Sequence, residues 1–228
     1  MELSEMDQNY SIKTLHRAIQ VLKSFSSERT SLSLTELHKL TKLSKPALQR
    51  ILATLVYEGF LIKDEDRNYS LGLELYFLGR LVEKNNALIN IAMPVMEKIR
   101  DKTGETVTLN TIYQNKRCIL ATCESNREVK VSYVGQYSPL YAGASGKLLL
   151  AYLPEQEIKE YLSKTKLEKI TDTTITDVRQ LEKELIEIRK NGYARSNGER
   201  VKGVYTLSTP IFNSFSEVVA TLGLLIPN

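Results

Sequence analysis

The stretch LSKPALQRILATLVYEGF, residues 43–60, places polar and basic side chains on one face of a predicted helix. Spacings of three and four residues bring Gln49 and Arg50 to the face opposite a stripe of leucine and isoleucine. The outward face comprises Lys45, Pro46, Gln49, Arg50, Ala53 and Tyr57. A glutamine can form two hydrogen bonds with the edge of an adenine, and an arginine can do the same with a guanine. This face is therefore a candidate for base contacts in a DNA major groove.

The distribution of charge is more informative than the net charge. The chain has 31 Lys and Arg against 27 Asp and Glu, and the resulting +4 indicates no particular partner. Residues 37–57, however, contain four Lys and Arg and no acid, which makes this segment electropositive. Basic residues here and in the following turn could bind phosphates. The residues predicted to contact DNA are Lys42, Ser44, Lys45, Pro46, Gln49, Arg50, Lys63 and Arg67. A solvated polar face would explain the charge alone equally well.

Three helices are predicted to position this face. Apolar residues at helical spacing over residues 12–25 predict the first helix. Ser33 and Glu36 form a capping-box pattern, which predicts that a helix of about two turns begins there. Ser44 is expected to cap the third helix and Gly59 to end it.

A β-hairpin is predicted directly after the third helix. The segments FLIK and NYSLG flank the polar turn DEDR, as two short strands joined by a turn would. Three helices followed by a hairpin, with a tight connection between the second and third helices, is the order of a winged helix-turn-helix. We therefore expect residues 10–72 to form such a DNA-binding domain.

The rest of the chain predicts an α+β architecture. Helical spacing of apolar residues over 73–87 predicts a linker helix, and residues 88–228 predict a sheet with helices packed against it. The expected helices of this second domain are 89–102, 144–152, 154–163 and 177–191, and the expected strands are 106–113, 118–123, 129–134, 204–210 and 218–226.

Several classes of protein are excluded by what the sequence lacks. No apolar stretch approaches the ~20 residues of a membrane span, and the N-terminus does not resemble a signal peptide, so we expect a cytoplasmic protein with no membrane partner. Neither His16 nor His38 has neighbours at metal-ligand spacing, so no metal or other cofactor is predicted. Cys118 and Cys123 would face opposite sides of one strand and are expected to be reduced.

The segment YAGASGKLLLAYLP contains a Gly-Lys pair but lacks the pattern of a phosphate-binding loop. Tyr141 stands where that motif begins with glycine, and Leu148 follows the lysine where Ser or Thr is needed. The small residues 142–146 enter a predicted helix, whose free amides favour an anion such as a carboxylate. Close packing of a loop against a helix would also account for these small residues.

Motifs in both halves occur in an order and at separations that are specific to one family. In the first half they are TLHRAIQVLKSFS, SLTELHKLTKLSKPALQRILATLVYEGFL and the hairpin ending in YSLG. In the second half they are ASGKLLLAYLP, IRKNGYARSNGERVKGVYTLSTPIFN and VVATLGLLIPN. The chain resembles the IclR family of bacterial transcriptional regulators. The resemblance implies a winged-helix domain and a GAF-like effector-binding domain, assembled as homodimers or homotetramers that bind double-stranded operator DNA and respond to a small molecule.

The resemblance also implies a set of effector-binding residues. They are Tyr141, Ala144, Ser145, Gly146, Ser196, Glu199, Thr206, Gly223 and Leu225. Several depart from the family pattern: Tyr141 replaces a frequent histidine, Thr206 a common cysteine, and Gly223 and Leu225 two serines. Since two hydroxyls are lost and a leucine is gained, we expect a bulkier or more apolar effector, such as an aromatic organic acid facing Tyr141.

Three functions compete at this stage. The first is a ligand-controlled DNA-binding regulator, and a repressor rather than an activator. The second is an enzyme, but the second domain holds no histidine and no grouped nucleophile and base, so catalysis is not predicted. The third is a sensory or interaction module whose winged helix contacts protein. DNA binding through phosphates weakens steeply with added salt, which distinguishes the first from the third.

Overall fold

The computed structural model describes residues 12–26, 28–125 and 137–227. The chain divides into two compact units, Met1–Asn85 and Asn86–Asn228. Within the described ranges, no helix combines the length and the apolar character needed to cross a bilayer. The strand expected at 129–134 lies outside the described residues.

The first unit combines helices with a small antiparallel sheet. Its helices are α1 (Lys13–Leu22), α2 (Leu34–Thr41), α3 (Lys45–Tyr57) and α4 (Leu73–Lys84), and its strands are β1 (Ser31–Ser33), β2 (Leu61–Lys63) and β3 (Asn68–Leu71). Strand β3 lies between β1 and β2 and is antiparallel to both. The predicted order of three helices and a hairpin is confirmed.

Local signals at the helix ends explain most of these bounds. The Ser33 side chain accepts a hydrogen bond from the amide of Glu36, whose carboxylate accepts one from the Ser33 amide at 2.8 Å, so the predicted capping box is confirmed. Helix α3 ends just before Gly59, which has φ +74° and thus the left-handed conformation that glycine tolerates. Ser44 holds the N-cap position of α3, as predicted, but its side chain makes no capping hydrogen bond. Pro46 has no N–H and removes one of the usual donors to such a cap.

Two features of the first unit differ from the prediction. Helix α1 ends at Leu22 rather than near residue 25. Strand β1 was not predicted, because three residues are too short to establish an alternating pattern. Its buried Leu32 pairs with the buried Tyr69 of β3, which ties the segment after α1 into the sheet.

The apolar stripe of α3 occupies the core of the first unit. Its four residues, Leu48, Ile51, Leu52 and Leu55, are all buried, as predicted. Val21 of α1 and Leu37 of α2 belong to the same cluster and are also fully buried. Burying one side of α3 leaves its opposite face to solvent.

The second unit is built around a larger antiparallel sheet. Its helices are α5 (Ala87–Thr103), α6 (Ala144–Ala151), α7 (Glu155–Lys164) and α8 (Val178–Asn191), and its strands are β4 (Thr106–Tyr113), β5 (Lys116–Cys123), β6 (Tyr137–Pro139), β7 (Ala194–Asn197), β8 (Val204–Phe212) and β9 (Val218–Pro227). The strand order is β6-β5-β4-β9-β8-β7. The predicted α+β class is confirmed, and the short edge strands β6 and β7 were missed.

The two faces of this sheet are covered by different helices. Met96 of α5 packs with Val107 and Leu109 of β4 on one face. Thr108 and Asn110 alternate with them and therefore point to the other face, where Thr108 meets the beginning of α6. Polar β4 side chains thus lie beneath a helix N-terminus.

The two cysteines are both buried and free. The register pairs Cys118 with Thr111 and Cys123 with Val107, which are four residues apart on β4 and so share a face. The prediction that the cysteines face opposite sides was wrong because β5 contains a bulge, where the register shifts next to Leu109. One extra residue reverses the alternation beyond it.

Candidate functional site

A tight connection sets the angle between α2 and α3. Lys42 adopts φ +59°, an uncommon left-handed conformation for a residue with a side chain. The Thr41 hydroxyl accepts a hydrogen bond from the Leu43 amide, and Nδ1 of His38 lies 2.5 Å from the Leu43 carbonyl oxygen. These contacts fix the turn, so α3 is presented at a defined angle beside α2.

The outward face of α3 is open to solvent. All six residues predicted to face outward, Lys45, Pro46, Gln49, Arg50, Ala53 and Tyr57, are exposed. Tyr57 is 87% exposed, which is unusual for so large a ring. Lys42 and Ser44 in the preceding turn are exposed as well. The structure therefore brings the predicted helix residues together on one accessible surface, which we call the α3 face.

The hairpin turn carries both signs of charge. Lys63 and Arg67, two predicted phosphate contacts, are exposed at the ends of the turn. Three exposed acids, Asp64, Glu65 and Asp66, lie between them. The Asp64 carboxylate accepts a hydrogen bond from the Asn68 amide at 2.8 Å and stabilises the turn, while Glu65 and Asp66 form its tip. With three acids against two basic residues the hairpin turn is not electropositive, in contrast to the α3 face.

Helix α4 has an unusual surface for its composition. None of its residues is buried, although seven of the twelve are large and apolar. Its exposed apolar residues are Leu73, Tyr76, Phe77, Leu78, Leu81 and Val82. A contiguous apolar surface of this kind marks an interaction site.

A cavity lies in the second unit, at the N-terminus of α6. The centre of a water molecule can occupy about 30 Å³ inside it, so the cavity is small. It is lined by Thr108, Arg117, Ala142, Gly143, Ala144, Ser145, Gly146, Ser196, Glu199, Arg200, Val201, Val204, Thr206 and Leu225. Seven of the nine predicted effector-binding residues, Ala144, Ser145, Gly146, Ser196, Glu199, Thr206 and Leu225, are therefore brought together here.

Tyr141 does not line this cavity. Its ring is buried in the cluster formed with α7 and α8, and its hydroxyl donates to the carbonyl oxygen of Glu168 at 3.0 Å and accepts from the Glu168 amide at 3.1 Å. Both hydrogen bonds hold the side chain against the loop after α7. Burial raises the pKa of this hydroxyl. The expectation of an aromatic effector facing Tyr141 therefore does not fit the structure.

Gly223 lies just behind the cavity wall. A Cβ atom at this position would come within 2.8 Å of both the Ser145 and the Thr108 side-chain oxygens. The Ser145 hydroxyl, which lies 2.7 Å from that of Ser208, therefore takes the space that a side chain at 223 would need. Packing therefore requires glycine here. The Ser145 hydroxyl offsets the polarity lost where the family pattern has a serine at position 223.

A buried ion pair closes one side of the cavity. Lys147 is fully buried in α6, and its ammonium group lies 2.5 Å from Glu199 and 2.9 Å from Glu184. The second carboxylate oxygen of Glu199 accepts from the Gly143 amide at 3.2 Å. Glu199 thus joins the loop before β8 to α6, so it has a structural role in addition to any contact with a ligand.

Arg117 is one of seven cavity residues that were not predicted as effector-binding from the sequence. It is 5% exposed, and its guanidinium donates to Ser138 Oγ and to Asn110 Oδ1, each at 2.7 Å. Its third nitrogen, Nη2, is buried and has no hydrogen-bond partner in the part of the chain that the structure describes. Burial, with Arg200 nearby, lowers its pKa to about 9, so it still carries its charge at neutral pH.

These observations define a class of protein. A winged helix-turn-helix that exposes a basic, acid-free recognition helix is a DNA-binding module. It is joined to an α+β unit that contains a polar cavity suited to a small molecule. The molecule has the architecture of a transcriptional regulator with a separate ligand-binding unit.

Sequence comparison gives the family. Residues 81–228 match the model of the bacterial transcriptional regulator IclR C-terminal domain, and residues 14–65 match that of the IclR helix-turn-helix domain. The chain belongs to the IclR family and is an HTH-type transcriptional regulator. Members of this family are regulators rather than enzymes.

Individual relatives are similar over most of their length. The HTH-type transcriptional regulator KipR of Bacillus subtilis is 34% identical over 213 residues, which cover 93% of this chain and 85% of KipR. The regulator KdgR of Escherichia coli is 29% identical over 219 residues, 95% of this chain and 83% of KdgR. The crystal structure of an IclR transcriptional regulator from Alicyclobacillus acidocaldarius superposes with a TM-score of 0.88 at 29% identity, covering 96% of this chain and 89% of that one.

Proposed function

We propose that this regulator is a repressor that binds a pseudo-palindromic operator and that a small metabolite in the α6 cavity controls its affinity for DNA. The observation that carries the proposal is the α3 face. Its polar residues Lys45, Gln49 and Arg50 are exposed together on a helix narrow enough for a major groove. The acid-free segment around them adds attraction to phosphates.

The proposed assembly is a homodimer or homotetramer. Helix α4 supports this, because its apolar residues have no covering partner within the described part of the chain. Exposed Ile12 and Leu15 of the α1 region extend the apolar surface of the first unit. Burying these residues against a second copy would place two α3 faces on one duplex, with half-sites about one helical turn, or a multiple of it, apart.

Effector control is proposed to act through the segment between the units. In this account residues 10–72 bind DNA, residues 73–87 form the linker and residues 88–228 form a GAF-like effector-binding domain. A ligand that binds one arrangement of the dimer more tightly shifts the population toward that arrangement. The coupling free energy by which the ligand changes DNA affinity equals that by which DNA changes ligand affinity. The protein is expected to act in the cytoplasm, where bacterial operators lie.

The test is a fluorescence-anisotropy titration of the full chain. The labelled duplex carries the DNA upstream of the protein's own gene, an unrelated duplex of equal length is the control, and each titration is run at two salt concentrations. Specific binding that weakens by about tenfold or more from low to high salt supports the proposal, because several phosphate contacts release counterions. Equal, weak binding to both duplexes would contradict it and favour a protein-binding role for the winged helix.

A further inference from the structure

The cavity contains a buried positive charge that has no ion-pair partner among the described residues. The Arg117 guanidinium lies on β5, and none of the ion pairs among the described residues includes it. Its two fixed partners, Ser138 and Asn110, are neutral. A buried charge without a counterion is in general strongly destabilising. Such an arrangement is retained only where something else offsets that cost.

The guanidinium of Arg117 is held in place in the cavity wall, and part of it has no acceptor among the described residues. The Nε and Nη1 atoms are held at 2.7 Å by Ser138 and Asn110, which orient the guanidinium plane. Both N–H groups of Nη2 remain without an acceptor, and Arg117 lines the cavity. A positioned arginine with free donors is a receptor for an oxyanion.

Other groups around the cavity favour an anion as well. Arg200 also lines it and lies close enough to affect Arg117 electrostatically. The first intrahelical bond of α6 runs from the Lys147 amide to the Gly143 carbonyl, so the amides of residues 144–146 precede the bonded part of the helix at its positive end. The one carboxylate in the wall, Glu199, is already held by Lys147 and the Gly143 amide.

We propose that Arg117 is the specificity-determining residue of this cavity and binds the carboxylate of a compact organic acid. The proposal rests on the effector cavity of the proposed function and names its ligand class. The planar carboxylate matches the unpaired side of the guanidinium, and the small volume favours a compact ligand over a bulky apolar one. This proposal differs from the larger, more apolar effector expected from Gly223 and Leu225. A tetrahedral inorganic anion such as phosphate or sulfate would also pair with the guanidinium, and the experiment below distinguishes it from a carboxylate.

The first measurement is the melting temperature of the full chain with formate, acetate, lactate, succinate, benzoate, phosphate or sulfate added, at matched ionic strength. A small carboxylate at about a hundred times its Kd is expected to raise the melting temperature by about 5 °C or more. Stabilisation by no carboxylate of the panel, or strongest stabilisation by phosphate or sulfate, would overturn the proposal. Benzoate acting better than every smaller acid would also overturn it.

The second measurement uses three variants with the best carboxylate. Arg117→Met is expected to weaken binding about 100-fold, and Arg117→Lys, which keeps the charge but loses the fork, about tenfold. Arg195→Met makes the same chemical change at an exposed position on β7 and should bind like the wild type. Binding by Arg117→Met within threefold of the wild type would contradict the assignment.

Stability without ligand separates this role from a merely structural one. Since Arg117 is a buried charge without a counterion, Arg117→Met should melt at the same temperature as the wild type or higher. A large fall in the melting temperature of both Arg117→Met and Arg117→Lys would mean that the arginine is needed for folding, and would overturn the proposal. DNA titrations of the same proteins without ligand keep the two proposals apart. If no protein binds operator DNA, the proposed function fails, whereas the carboxylate site is judged on melting temperature alone.

Discussion

The α3 face and the α6 cavity differ in how they are built. The α3 face comes from one continuous segment, and its side chains project into solvent. The cavity is assembled from five strands and one helix N-terminus, with residues as distant in sequence as Thr108 and Leu225. Its polar groups are also part of the core of the second unit. Changes on the α3 face should therefore alter binding alone, while changes that break the buried ion pair in the cavity wall should lower stability as well.

The largest effect is expected from Glu199→Ala. Removing this carboxylate leaves the fully buried Lys147 with the partly exposed Glu184 as its remaining partner. Breaking a buried pair in this way destabilises by about 3 kcal/mol. Urea unfolding followed by circular dichroism measures it. Glu155→Ala is the matched control, because the exposed pair of Glu155 with Lys159 should contribute less than about 1 kcal/mol. An equal loss of unfolding free energy in Glu199→Ala and Glu155→Ala would contradict the proposed difference between the cavity and the surface.

A second effect concerns the scaffold behind the α3 face rather than the face itself. A Cβ atom on Gly72 would lie 2.0 Å from the backbone oxygen of Gly59, which ends α3. Gly72→Ala should therefore destabilise the first unit by about 2 to 3 kcal/mol through overpacking. The control is Gly79→Ala in α4, where a Cβ meets nothing within 4 Å. Alanine there should stabilise by about 0.5 to 1 kcal/mol. Thermal unfolding measures the melting temperature of both variants. An unchanged melting temperature of the Gly72→Ala protein would contradict the close contact between Gly72 and Gly59.

The third effect separates binding from stability on the α3 face. Arg50→Ala should lose about 1 to 3 kcal/mol of operator affinity, which is about 5- to 150-fold, and relax the preference at one base position. Because Arg50 is exposed, the melting temperature of the Arg50→Ala protein should equal that of the wild type. Arg179→Ala removes the same charge from an exposed position on α8 and should leave anisotropy titrations unchanged. Equal affinity of both variants would remove Arg50 from the DNA interface.

The smallest effect is expected at the tip of the hairpin. Glu65 and Asp66 are exposed acids between the predicted phosphate contacts Lys63 and Arg67. Asp66→Asn should strengthen binding to operator and unrelated duplexes alike, by about threefold, since one repulsion with phosphates is lost. Lys63→Ala should weaken both and lower the slope of log affinity against log salt by about one. If neither variant changes affinity, the hairpin does not approach DNA.

The first unit was largely predictable from sequence because its signals are local. The capping box at Ser33, the stop at Gly59 and the stripe from Leu48 to Leu55 each depend on residues a few positions apart. The exceptions were also local in cause: β1 is too short to show a period, and Ser44 makes no capping hydrogen bond beside Pro46.

The cavity was predictable only in part, because it depends on contacts between residues that are distant in sequence. Its residues on α6 and β7–β9 were expected from the family resemblance, but Arg117 was not predicted, because the expected strand began only at Cys118. The strand in fact begins at Lys116, so the arginine lies inside the sheet. Tyr141 was misplaced because no sequence pattern indicates that its hydroxyl binds the backbone of Glu168, 27 residues away. A charged residue directly before an apolar strand was the available signal for Arg117.

The most direct test of the account couples its two sites in one titration. Operator DNA is titrated with the full chain, with and without the carboxylate that most raises the melting temperature, for the wild type and for Arg117→Met. The account predicts that the carboxylate changes the wild-type DNA affinity by about 5- to 150-fold and leaves that of Arg117→Met unchanged. A carboxylate that stabilises the wild type but leaves its DNA affinity unaltered would contradict the claim that the cavity controls the α3 face.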